Sequence, residues 1–210
     1  MSKKDLIIIG ASGHGKVVAE IAEKLKRYEN IYFIDDNPSS INFHNYTVLG
    51  DSYRMEEFKE NADFFVAIGD NEIRRAKYEY LIRERYSIAI IIDPTALISR
   101  SAEINQGTVV MPGAIVNAST KIGVGCIINT RVIVDHDCIV EDFSHASPGA
   151  VIAGTVKIGE LVWVGANATI LNNVKINRNT IVGAGAVVLS DIKVSGVYVG
   201  VPIKRVKEIK

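Results

Sequence analysis

From Ile98 onward the chain places Ile or Val at every sixth position, through Ile104, Val110, Val116, Ile122, Ile128, Val134 and Val140, and again from Ile152 to Val194, with Ala146 the one exception. The register reads as unbroken over the whole stretch. The fifth residue of each block is mostly small, as at Ala102, Thr108, Ala114, Thr120, Cys126, Cys138, Ser144, Ala150, Ala168, Thr180 and Ala186. A helical face recurs at about 3.6 residues and a strand face at about 2, so neither repeats every six. A β-helix of hexapeptide coils does. Each block supplies a short strand and a bend, and three blocks close a triangular coil of parallel strands. The β-branched residue and the small residue point inward, one filling the prism and the other fitting its corner.

The chain has 210 residues and a formal net charge of zero. That balance argues against a general nucleic-acid or anionic-membrane surface and favours small-molecule partners. The first apolar run, Leu6 to Ile9, is too short for a signal sequence or a membrane span, so a cytoplasmic location is expected. Cys126 and Cys138 lie two blocks apart, in different corners, and read as small core residues rather than a disulfide.

Before the repeats, Leu6 to Ile9 runs into Gly10-Ala11-Ser12-Gly13-His14-Gly15, and Val17, Val18, Ile21, Ala22 and Leu25 then recur at helical spacing. This is strand, glycine turn and helix, a place where backbone N–H groups meet a phosphate or ribose. The next strand, Ile31 to Ile34, ends in Asp35-Asp36, and a third, Phe64 to Ile68, ends in Gly69-Asp70-Asn71. Asn37 to Asn45, with His44, reads as loop. Ser52 to Glu60 and Glu72 to Tyr86 read as helices, the second with its Arg and Glu on a solvated face, and Ile88 to Ile92 as a last buried strand. Strands alternating with helices predict a small Rossmann-like α/β domain over residues 1–93, with its ligand crevice at the strand C-termini. The glycines run G-x-x-G-x-G, not the dinucleotide G-x-G-x-x-G, so a single nucleotide fits better. Asp93-Pro94 breaks the pattern, and residues 94–210 read as the parallel β-helix domain with a short basic tail.

With three blocks per coil, residues eighteen apart stack. His136 then stands outward between Ala118 and Gly154, flanked by Asp135 and Asp137. A carboxylate beside an imidazole makes a general base at neutral pH, although spacing alone describes a plain surface pair equally well. Trp163 stacks on His145, either as a subunit contact or as an edge that holds a ligand. Gly165-Ala166 and Gly183-Ala184 stack into a wall nearly without side chains. Such a wall suits an extended amide-bearing chain such as pantetheine, or only the tight corner. Lys121, Lys157, Lys175 and Lys193 form a fourth, solvated column.

The glycine turn, Asp35-Asp36, Ala67 to Asn71, the hexads with Val134-Asp135-His136-Asp137-Cys138 and Phe143-Ser144-His145, and the terminal Gly200-Val201-Pro202 together resemble the sialic-acid O-acetyltransferase family of hexapeptide acyltransferases. Within it they resemble the bacterial N-acetyltransferases acting on UDP-4-amino-sugars. The resemblance supplies the left hand of the β-helix. It implies a homotrimer with acetyl-CoA bound between neighbouring prisms and a UDP-amino-sugar held by the N-terminal domain. By position it implies His136 as catalytic base, Asp137 as its partner (a Glu in the N-acetyltransferase that makes UDP-diacetylbacillosamine), and His145 at the thioester. It implies Gly165, Ala166, Gly183 and Ala184 along the coenzyme, and Ser12, Gly13, His14, Asp35, Asp36 and Gly69 in the nucleotide-sugar pocket. Leu171-Asn172-Asn173 departs from the Leu-Pro often found there. No metal is expected, because a zinc hydratase on this scaffold needs three imidazoles and the repeats hold only His136 and His145. O-acetylation of a sugar such as sialic acid, and a non-catalytic trimer that binds nucleotide sugar, are the alternatives.

Overall fold

The computed structural model describes residues 3–37, 42–43 and 45–209. The chain divides into two compact units, Met1–Pro94 and Thr95–Lys210.

In the first unit β1 (Lys4–Ile9), α1 (Gly13–Leu25), β2 (Tyr28–Ile34), β3 (Asn42–Phe43), β4 (Tyr46–Val48), β5 (Ala62–Val66) and α2 (Asn71–Arg83) follow in order, with a 3-10 helix over Ser52–Phe58. The sheet order is β3-β4-β2-β1-β5, so β1 is central. Leu6, Ile7 and Ile8 are wholly buried, each worth about 1.5–3 kcal/mol of transfer free energy. Pairings among β4, β2, β1 and β5 are parallel, and β3 turns back antiparallel on β4. That hairpin occupies part of the expected loop; residues 38–41 and His44 lie outside the described residues. The expected strand from Ile88 to Ile92 is reduced to a single bridge from Ile88 to Phe64 and a two-residue strand at Ile91–Ile92.

The glycine turn is shaped by packing as much as by any ligand. A Cβ on Gly15 would strike the Gly10 carbonyl, and Gly10 itself has φ +110°, a conformation open to glycine. Gly13 and Gly69 differ: a Cβ on either meets nothing within 4 Å, so they leave open space at the strand ends.

The second unit is the left-handed β-helix. Ile115 pairs with Ile133, Ile127 with His145 and Lys121 with Ile139, each eighteen residues on and parallel. From Val110 to Val188 the first residue of every block is buried. The small fifth residues have a second task. Thr108 Oγ1 donates to the Gly123 carbonyl (2.8 Å) and accepts from the Cys126 N–H (3.0 Å). Thr120, two blocks after Thr108, and Ser144, two coils after it, repeat the pattern, so a buried hydroxyl satisfies backbone that the corner would strand. Both cysteines are buried and neither is in a disulfide.

The fourth position carries information that periodicity in apolar residues does not show. From Gly107 to Gly185 positive φ recurs there, at Ser119, Arg131, Asp137, Phe143, Thr155, Leu161, Asn167, Asn173 and Asn179 as well as at glycines. A left-handed residue costs a side chain of order 1–2 kcal/mol, which explains why Gly and Asn recur at these corners.

The hexad register does not run unbroken to Val194. In the last coil the offset is sixteen: Ile181 pairs with Val197 and Val182 with Tyr198. Ile192 is 3% exposed and bridges Ile176, while Val194 is 55% exposed. Two residues fewer tighten the coil, and Lys193 therefore leaves the lysine column; the Asp191 carboxylate accepts the Lys175 N–H instead (2.8 Å). The basic tail is a strand, Lys204–Lys207, antiparallel to Gly196–Val199, so it covers backbone that the last coil would leave unpaired.

Candidate functional site

His136 sits in the bend after the strand Ile133–Val134. Its Nδ1 lies 2.8 Å from Asp137 Oδ2, with both side chains more than half exposed. The pairing depends on the corner: Asp137 has φ 57°, which turns its carboxylate back toward the preceding ring. A carboxylate only accepts, so Nδ1 carries the hydrogen and Nε2 presents its lone pair. The hydrogen bond that Nδ1–H donates to Asp137, with the nearby charge of Asp135, raises the His136 pKa above its ordinary value. Asp135 does different work. Its Oδ1 accepts the His136 N–H (2.8 Å) and the Asn117 amide from the coil below (2.9 Å), so it holds backbone, not the ring. Asn117 is missed by motif reading, but it stacks eighteen residues before Asp135.

Gly154 makes room for the imidazole. A Cβ there would lie 2.8 Å from both Cε1 and Nε2 of His136. Gly154→Ala is therefore expected to displace the ring and lower kcat at least tenfold while leaving the melting temperature near that of the parent, because the obstructed atoms belong to an exposed side chain. A crystal structure of the variant with the ring unmoved would contradict this.

His145 and Trp163 stack with ring centroids 5.9 Å apart and planes 6° from parallel. Asn129 Oδ1 accepts the Thr130 N–H, so its NH2 faces His145 Nε2 at 3.2 Å. Nε2 then accepts and Nδ1 carries the ring's N–H. Trp163 Nε1 donates to Ser147 Oγ (2.8 Å).

The glycine wall has a packing reason. A Cβ on Gly165 would strike the backbone of Val182, Gly183 and Ala184, and one on Gly183 would lie 2.7 Å from Val199 Cγ1. The glycines therefore fit the corner whatever binds there. The alanines leave their donors open: among the described residues neither the Ala166 nor the Ala184 N–H donates to a protein acceptor. The wall thus offers two amide donors one coil apart, about 4.8 Å, beside methyl groups only. An extended amide chain fits such a surface. His136 and this wall stand at different corners, His136 after Ile133–Val134 and the wall after Trp163–Val164.

In the first unit a cavity of about 360 Å³ is lined by Gly10, Ser12, Asp35, Asp36, Ser52, Ile68, Gly69 and Lys77. Ser12 is the N-cap of α1 without a side-chain cap bond, and no acidic residue lies in that first turn. Its N–H groups and the open space at Gly13 suit an anion. Asp35 is occupied by its own chain, accepting from the Ala11 N–H (2.7 Å) and the Asn37 N–H (2.8 Å). Asp36 accepts from Lys77 Nζ (2.8 Å) and from the Ser52 N–H (2.9 Å) and hydroxyl. The Lys77 and Ser52 bonds hold its pKa down, to about 2.

His14 and Gly13 are not among the residues that line this cavity. The His14 Nε2 is buried with no partner among the described residues. Burial, and then the charge of Arg74, lower its pKa to about 4, so the ring is neutral at pH 7. Arg74 corrects the expectation of a solvated charged face on α2. It is 1% exposed and donates to the carbonyls of Ile68 (2.9 Å) and Gly69 (3.1 Å) and to Asn71 Oδ1 (2.7 Å). It clamps the glycine loop that borders the cavity. Among the described residues no group of three or more His, Cys, Asp or Glu is placed to hold a metal ion, and no helix is long and apolar enough to cross a membrane.

Comparison with known proteins gives a consistent picture. Residues 5–81 match the PglD N-terminal domain, and residues 155–190 match the bacterial transferase hexapeptide repeat. The acetyltransferase domain of PglB from Neisseria gonorrhoeae FA1090, solved with acetyl coenzyme A, is 38% identical with a TM-score of 0.93, over 98% of this chain and 100% of that one. A histidine variant of perosamine N-acetyltransferase from Caulobacter crescentus, solved with CoA and GDP-perosamine, is 33% identical with a TM-score of 0.93, over 99% of each chain. UDP-N-acetylbacillosamine N-acetyltransferase from Bacillus subtilis (strain 168) is 31% identical over 111 residues. That alignment spans 51% of this chain and 51% of the relative, about half its length.

Proposed function

The chain belongs to the hexapeptide-repeat acetyltransferase family related to PglD and the perosamine N-acetyltransferases, and from that premise we propose that it transfers acetyl from acetyl-CoA to the amine of a nucleotide-linked amino-sugar. The acceptor in this reading is a UDP-linked 4-amino-sugar. The observation that carries it is the outward His136–Asp137 pair on a chain that aligns, over nearly its full length, with a domain solved with acetyl coenzyme A.

The residues divide the work. The cavity at the ends of β1 and β2 holds the nucleotide, with the α1 N-terminus at Ser12 and the open Gly69 receiving the diphosphate. The amides of Ala166 and Ala184 bond the pantetheine arm, beside the His145–Trp163 stack. His136 Nε2 takes a proton from the sugar amine as the nitrogen attacks the thioester carbonyl. Asp137 stabilises the imidazolium so formed. The His145 Nδ1–H or a backbone amide meets the oxyanion, and collapse expels the CoA thiolate. Cys126 and Cys138 are buried, so direct transfer is preferred to an acyl-enzyme. His136 of one subunit faces the wall of its neighbour in a homotrimer. The reaction is assigned to the cytoplasm.

The test is a thiol-release assay with acetyl-CoA and a panel of UDP-4-amino-sugars, a GDP-4-amino-sugar and sialic acid. CoA release with a UDP-4-amino-sugar, giving a product stable to hydroxylamine as an amide is, supports the reading. Release with sialic acid alone, giving a hydroxylamine-labile ester, overturns it in favour of O-acetylation. Binding of nucleotide sugar with no CoA released from any acceptor leaves a non-catalytic binder.

A further inference from the structure

The lysine column on one face of the prism is compensated only in its lower half. Lys121 pairs with Glu103 from the coil below (3.3 Å), and Lys157 pairs with Glu141 at the neighbouring bend (3.0 Å). Lys175 then stacks directly on Lys157 in parallel register, one strand spacing of about 4.8 Å away. Like charges so placed repel. The shortened last coil bridges Ile192 to Ile176 and so sets Asp191 beside Lys175, but Asp191 Oδ1 accepts the Lys175 backbone N–H (2.8 Å). Among the described residues neither the Lys175 nor the Lys193 ammonium has an acceptor. At this place the surface holds a cavity of about 430 Å³, lined by Lys157, Lys175, Asn177, Arg178, Asp191 and Lys193.

We propose that this notch binds the phosphate or diphosphate group of a small molecule, at a corner of the prism separate from the transfer site. The corner follows the strand Lys175–Ile176, whereas His136 follows Ile133–Val134 and the Ala166–Ala184 wall begins after Trp163–Val164.

The acceptors around the notch are mostly engaged, and the donors are not. Glu141 holds Lys157 with one oxygen and accepts the Glu160 N–H with the other (3.3 Å). Asn177 donates to the Lys193 carbonyl (3.1 Å) and accepts the Arg178 N–H (3.0 Å), which fixes the bend. Arg178 gives Nη2 to Glu160 (3.2 Å) and has further N–H groups in its fork. What remains is two ammonium groups with three donors each and part of a guanidinium. A phosphate monoester accepts at every terminal oxygen and carries about −1.5 to −2 charges at pH 7, so it meets these donors and relieves the stacked lysines in one step. The surplus of positive charge is confined to the notch, because Lys121 and Lys157 are paired below it. Such a confined surplus fits a small anion better than the long track of a nucleic acid or a membrane surface. The volume is also that of a small-molecule site.

Isothermal titration of the full chain with inorganic pyrophosphate tests this, at fixed ionic strength and with coenzyme A and UDP already present in excess. Wild type is compared with the double variant Lys175→Gln, Lys193→Gln. Wild type is expected to bind pyrophosphate, and the double variant to bind it roughly tenfold or more weakly, the scale of a lost charged hydrogen bond. Without pyrophosphate the variant should melt at or above the wild-type temperature, since it loses a repulsion. A purely structural role for the lysines would lower that temperature instead. Affinity for coenzyme A, titrated separately, should stay within about threefold of wild type. Absence of pyrophosphate binding by wild type, equal binding by the variant, or a variant that melts lower each overturns the proposal. A larger loss of coenzyme affinity overturns the separate site and assigns the notch to the phosphates of the coenzyme.

Discussion

His136→Ala is expected to lower kcat by roughly 100- to 10,000-fold, the range supplied by a positioned general base, while the affinity for acetyl-CoA stays within about threefold of wild type. The separation follows from placement: His136 stands at one corner of the prism and the Ala166–Ala184 donors at another. Retained turnover, or an equal loss of coenzyme binding, would remove His136 from the role of base. The pH profile gives an independent reading. The base must be neutral to accept a proton, so kcat/KM rises with pH through the His136 pKa, which Asp137 and Asp135 raise above its ordinary value. Removing the charged acceptor of Nδ1–H with Asp137→Asn should move that acid limb to lower pH and reduce kcat at the plateau. A limb that does not move assigns the titration to another group.

Mixed trimers of His136→Ala and Ala184→Trp chains should recover activity that neither parent has. Ala184 is exposed, so the indole fills the wall without entering the core. If His136 acts on a coenzyme held by the neighbouring subunit, random mixing leaves about a quarter of the sites with both an intact base and an intact wall, as a heterologous threefold interface requires. Co-expression with two affinity tags isolates the mixed species, and CoA release measures them. No recovery in a verified mixed trimer would place base and wall in one subunit, and a chain that sediments as a monomer would remove the shared site altogether.

The β-helix was legible because its cause is local and repeated. Every coil buries the same inward face, so the six-residue period survives without knowledge of any distant contact. The same logic locates the stacking of Trp163 on His145 and of Gly154 against His136. It fails where the coil changes length. Val194 continues the apolar period, but Ile192 takes the inward place because the last turn is two residues shorter, a choice made by closure of the coil and not by residue type. The α/β unit was legible to the level of its crevice, since apolar strands ending in Gly and Asp mark the C-terminal edge.

The sequence by itself determined the period, the order of the two units and the candidates for the site. Tertiary structure alone decided which of them are free to do so. Asp135 and Asp137 are equivalent on paper; the left-handed corner gives the ring to Asp137, and Asn117 from the coil below turns Asp135 to the backbone. Gly165 is required by the backbone of the next coil, whereas Gly13 and Gly69 face open space. Arg74 carries a charge that pattern reading assigns to solvent, yet the carbonyls of Ile68 and Gly69 hold it inside. Asp36 meets Lys77 only because α2 returns across the sheet ends. Periodicity reports the average environment of a position. The partner of a polar group is set by one approach of distant chain, and that is a property of the folded molecule.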